Sequence, residues 1–181
     1  VAVLLLRRGE LRLERLAGRA PGRPEVDDHG LLADVLPKID RIACPWLIRR
    51  FVDPAAVFLF VAPQEVAAVA DRFNATAFDI ENTHWSHRGD LCTFDVMVEE
   101  FGLATEALLR LATIVRAADT ARLDLAPEAA GLLAASLGLS RMYADDLEQL
   151  EAGMGLYDAF YRWCRDATEE THNWPTNKVK P

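Results

Sequence analysis

Twelve residues, His84 to Asp95 (HWSHRGDLCTFD), bring together chemically versatile side chains: two imidazoles, a thiol, an arginine and two carboxylates. Buried without partners, such groups cost free energy. The stretch must therefore face water, pair internally or line a site. Ser86 to Asp90 reads as a turn, and Cys92 to Phe94 as a short extended piece. Asp95 precedes the apolar run Val96, Met97, Val98, which makes it a cap or first-turn residue of a helix starting there. His84 and Trp85 read as a surface pair at a strand end.

The surrounding sequence predicts the elements that position this stretch. In KIDRIACPWLIRRFVDP, Asp40 is a natural N-cap and Pro45 an early helical residue. Ile42, Trp46, Leu47, Ile48 and Phe51 give the buried face, and Pro54 ends the run. AVFLFVAP is a buried strand, QEVAAVADRF a helix and ATAFDI a second strand. After Asp95 the chain reads as helical: a short helix closed by Gly102, a helix over 104–118 and another starting near Pro127 and Glu128. The last helix carries Leu147, Leu150, Met154 and Tyr157 on one seam. The fold class predicted is α+β, predominantly α-helical, with helices packed on a small two- or three-stranded sheet. Residues 1–36 start with VAVLLL, which has strand character. They continue into Arg/Gly/Pro-rich sequence and are expected to be a poorly packed N-terminal arm or the remnant of an upstream region. Residues 37–168 form the predicted domain, and 169–181 a disordered tail. His29 and His172 fall in these ends.

The 181 residues suit one domain, and the formal net charge of -8 argues against direct binding of nucleic acid or anionic membrane through it. No apolar run is long enough to span a bilayer, and Val1–Leu6 followed by Arg7-Arg8 reverses the charge order of a signal peptide. The chain begins without methionine, as a fragment or a processed form would. Cys44, Cys92 and Cys164 show no CxxC spacing, so free thiols in the reducing cytoplasm are expected.

Four separated motifs, KIDRIACPWLIRRF, SHRGDLCTFD, IVRAADTARLDLAPEAAGLLAASLGLSR and LYDAFYRWCRD, together resemble the C-terminal domain of the chromate-resistance protein family ChrB over residues 37–166. The resemblance implies a role in chromate or oxyanion stress, as part of chromate-responsive transcription regulators, without a defined reaction. Many relatives read VHDID where this chain has Val115-Arg116-Ala117-Ala118-Asp119. Their histidine falls on Arg116 and their last acid on Asp119.

Three readings of the site follow. A metal reading uses His87 with Cys92, Asp95, Asp119 and Glu128, a set suited to Fe, Mn or Zn; the alternative is that His87 and Asp95 only cap a helix. An oxyanion reading uses Arg41, Arg88 and Arg116, whose guanidinium forks match a tetrahedral dianion such as chromate; the alternative is ion pairing within the protein, which is favoured for Arg49 and Arg50. A redox reading uses Cys44 and Cys92, against the alternative that they are small buried hydrophobes. Cys164 is read as buried. The leading expectation is a cytoplasmic chromate-stress accessory or sensor domain that binds chromate or a metal ion around SHRGDLCTFD. The alternatives are a small metalloenzyme and a helical module that forms a homodimer through its C-terminal helix. Whether the chain is an enzyme stays open.

Overall fold

The computed structural model describes residues 2–6 and 39–170. Among these, three antiparallel strands and six α-helices bear out the α+β, mostly helical class. Strand β1 (Ala2–Leu6) lies in the middle of the sheet, with β2 (Val57–Val61) on one edge and β3 (Ala75–Phe78) on the other. Leu4 of β1 faces Leu59 of β2 and Ala77 of β3. The arm expected over 1–36 is thereby corrected at its start. Val3 and Leu4 are consecutive and both fully buried, so the strand is covered on both faces, as an unbroken apolar run requires. The rest of that arm, the tail from 171 onward, His29 and His172 lie outside the described residues.

Helix α1 (Ile39–Leu47) buries every side chain except Arg41. Pro45 stands inside it rather than in its first turn, and the helix widens into a π turn over Ile48–Val52. Trp46 is wholly buried and donates its indole N–H to Oδ1 of Asp158, 2.8 Å away. Helix α2 (Val66–Phe73) crosses between the edge strands and packs on β1 and β3. Its C-terminus is closed by Asn74 in the left-handed conformation. The remaining helices are α3 (Thr93–Glu100), α4 (Glu106–Asp119), α5 (Ala129–Met142) and α6 (Asp146–Asp166). Helix α4 is the hub and touches α1, α3, α5 and α6.

The seam expected on α6 is corrected at one end. Leu147 is largely exposed, while Leu150, Gly153, Met154, Tyr157 and Cys164 are buried. That seam packs within the chain against α1, α4 and α5. Gly153 is required where α6 meets α1, because a Cβ there would lie 2.7 Å from Cγ2 of Ile42. Among the described residues no helix is long and apolar enough to cross a membrane.

Candidate functional site

The segment between β3 and α3 is shaped by its backbone. Asp79 follows β3 in the left-handed region (φ 58°) and turns the chain sharply. Its N–H donates to the carbonyl of Trp85, which brings the segment back alongside Phe78. Arg88 and Leu91 then exchange main-chain hydrogen bonds across a turn whose Gly89 has φ +60°. His87 is thus held on a closed loop at the head of α3, about half exposed.

Three carboxylates surround its ring. Nε2 of His87 lies 3.2 Å from Oδ2 of Asp119, 3.6 Å from Oδ2 of Asp40 and 4.0 Å from Oδ1 of Asp79. Asp119 is the last residue of α4, Asp40 lies in the first turn of α1, and Asp79 directly follows β3. Asp40, His87 and Asp119 each offer a ligand atom within 4.8 Å of the others.

Asp40 corrects the N-cap expectation. It lies inside α1 and caps a different helix, accepting the N–H of Thr93 at Oδ2, 2.7 Å away. Its other oxygen, Oδ1, is buried with no hydrogen-bond partner among the described residues. The Thr93 hydroxyl donates to Oδ1 of Asp79 at 3.0 Å. The start of α3 is therefore tied to two of the three carboxylates.

This crowding perturbs His87, Asp79 and Asp119. Hydrogen bonding and charge from Asp40 raise the His87 pKa to about 9, with Asp119 and Asp79 adding to it and partial burial opposing. Asp119 is the nearest carboxylate, yet Asp40 has the larger effect. Burial first, then repulsion from Asp40, pushes Asp79 up to about 7. Asp119 also rises to about 7, by burial and then the charges of Asp40 and Asp79. An excess of negative groups in a poorly hydrated place retains protons.

The other expected site residues stand elsewhere. Asp95 accepts the N–H of Cys92 at 3.1 Å, as a helix-opening acid should, and pairs with Nη1 of Arg116 at 2.8 Å. Arg116 is thereby committed within the protein. Arg88 is also engaged, with Oε1 of Glu100 at 2.6 Å and the carbonyl of His84 at 2.8 Å. Arg41 is half-buried and its charge bears on Asp79. Arg49 and Arg50 pair with Glu151 and Asp158, as expected. Cys44 and Cys92 are free and wholly buried. Burial, then the charge of Asp40, pushes both thiols well up, so neither is a thiolate near neutral pH. Glu128 precedes α5, where its charge bears on the buried Cys164, and lies outside the group around His87. Of the metal set, the structure brings together His87 and Asp119. Asp40 and Asp79 join them.

Residues 34–164 match the family described as ChrB, C-terminal domain. The chain belongs to that family. Over 124 residues it is 34% identical to Protein ChrB of Cupriavidus metallidurans, a match covering 68% of this chain and 37% of that protein. The chain thus spans little more than a third of the relative's length. No solved structure matches it. The matched region begins just before α1 and contains Asp40, Asp79, His87 and Asp119, while β1 lies ahead of it. The matched region of this chain therefore carries the whole carboxylate–histidine group.

Proposed function

We propose that this domain serves chromate resistance by holding a divalent cation between Asp40, His87 and Asp119. Membership of the ChrB family supports the chromate-related role. The observation that favours a cation is the Asp40 carboxylate, whose Oδ1 is buried without a hydrogen-bond donor and whose Oδ2 lies 3.6 Å from Nε2 of His87, in the group that Asp119 completes. An acceptor that no protein group satisfies is costly, and a cation supplies what it lacks. Ligand atoms a few ångströms apart suit one ion bound at about 2.0–2.2 Å. Two carboxylates and one imidazole suit Mn, Fe or Zn. The raised thiols of Cys44 and Cys92 weigh against a thiolate ligand.

The same geometry weighs against chromate entering this pocket directly. A dianion would meet three carboxylates, and two of the three candidate arginines are spent in ion pairs. In this reading the domain is the accessory or sensing part of a cytoplasmic chromate-stress protein, and its ligand is the cation. A second reading, metal-assisted chemistry, is favoured by one observation: His87 is half exposed. A bound ion would there offer Lewis acidity at a solvent-reachable position. Asp40 and Asp119 would anchor it from two helices, and Asp79, 4.0 Å from the same Nε2, would add negative charge beside it.

Elemental analysis of protein loaded with Mn(II), Fe(II) or Zn(II) and desalted tests the proposal, with His87→Ala alongside. Near-stoichiometric metal in the wild type that is lost in the variant is expected. Wild-type protein that retains none of the three ions overturns it.

A further inference from the structure

Two of the three converging side chains rise from helices, Asp40 in α1 and Asp119 in α4, whereas His87 stands on the loop between β3 and α3. Something must hold that loop, and Glu100 does so. Oε2 of Glu100 accepts the indole N–H of Trp85 at 2.8 Å and lies 2.8 Å from Nε2 of His84. Oε1 lies 2.6 Å from Nη2 of Arg88. One carboxylate thus receives three side chains, two just before His87 in sequence and one just after it. The Trp85 ring also rests on Phe101, centroids 5.2 Å apart.

The position of Glu100 argues that this cluster serves more than its helix. It is the last residue of α3, directly after Glu99. Negative charge there opposes the helix dipole, so α3 itself gains nothing from it. The far end of the same helix is tied to Asp40 and Asp79 through Thr93. An eight-residue helix therefore spans from the carboxylates to the latch on the histidine loop.

Resting on the cation reading above, we infer that Glu100 is a positioning residue that fixes His87 against Asp40 and Asp119 and slows its departure from a bound ion. Groups that orient a ligand's side chain commonly govern metal affinity by about 10–100-fold. The latch predicts a loss of about 10-fold or more in affinity when it is cut, together with faster release.

The test compares wild type, Glu100→Gln and Trp85→Phe, the last removing one donor and keeping the ring's packing. Mn(II) and Zn(II) affinities come from calorimetry, release rates from stopped-flow mixing with EDTA, and loop order from hydrogen exchange over residues 84–88. Expected are weaker affinity and faster release in Glu100→Gln, a smaller change of the same sign in Trp85→Phe, faster loop exchange in both, and thermal unfolding close to wild type. Unchanged affinity and release in a wild type that binds metal would overturn the inference alone. A wild type that binds neither ion overturns the cation reading and the affinity claim with it. Exchange over 84–88 then still decides the latch, and unchanged exchange in Glu100→Gln overturns that as well.

Discussion

Replacing Asp40 by asparagine separates a site that sacrifices stability for binding from a polar cluster that merely holds the fold. Asparagine keeps the shape, and its carbonyl oxygen can still accept the N–H of Thr93 as Oδ2 does at 2.7 Å. Its neutral amide replaces the carboxylate whose Oδ1 now lies buried without a donor. The negative charge that ranks second in raising both Asp79 and Asp119 disappears. Removing a buried charge that repels two neighbours stabilises, while losing the contact that raises His87 opposes it, so metal-free Asp40→Asn should be no less stable than wild type, and up to about 1–3 kcal/mol more stable. For a chain of this size each kcal/mol raises Tm by about 2–4 °C. Metal binding should move the other way, by about 100-fold, the upper end of what an orienting residue alone controls. The assay is thermal and urea unfolding of both proteins, metal-free and with saturating Mn(II) or Zn(II), near pH 7.5. Wild type should gain more Tm from the ion than the variant does. If metal-free Asp40→Asn melts below wild type while its metal affinity is unchanged, Asp40 is a structural cap and the reasoning fails.

Metal-free wild type should lose stability as pH rises through about 7, because Asp79 and Asp119 keep protons in the fold above their ordinary 3.8. It should lose more toward about 9, as the raised His87 gives up its proton. Affinity for a divalent cation has the opposite sign and should climb over the same range, since ligands bind deprotonated; calorimetry in buffers of different ionisation heat reads the released protons. Gly153→Ala should destabilise by about 1–3 kcal/mol through overpacking, because its Cβ would lie 2.7 Å from Ile42 Cγ2. In an Ile42→Ala background the same change should be close to neutral, and a full penalty there would place the strain elsewhere. Arg116→Met leaves Asp95 without its guanidinium and should lower stability by about 1–3 kcal/mol with metal affinity unaltered; weakened metal binding would bring Arg116 into the site.

Local pattern made most of the helices legible, since their apolar spacing reports burial directly. It also led to the stretch that carries His87, and it marked Asp95 as a helix-opening acid. What stayed hidden depends on contacts distant in sequence. Asp40 reads as a cap because an acid at a helix start has that use locally; in the fold it caps a helix that begins 53 residues later. Asp79 carries no signal beyond closing a strand, and only its left-handed turn aims it at His87. Arg88 and Arg116 look like free forks until Glu100 and Asp95 are placed beside them. Strand β1 was obscured by the arginine-rich sequence after it, because strand pairing cannot be read from either strand alone.

Helix α3 unites these misread residues. Thr93 at its start donates to Asp40 and Asp79, Asp95 in its first turn pairs with Arg116, and Glu100 at its end holds the histidine loop. Arg116 lies on α4 three residues before Asp119, on the same face. On the cation reading, each wall of the pocket is thus bonded to α3 or to a residue beside its partner. An ion that draws Asp40, His87 and Asp119 together acts on that helix at both ends. An ion-free pocket leaves three mutually repelling carboxylates pressing on the same two points. On the cation reading, the difference between those two loads on α3 is what occupancy of the site changes.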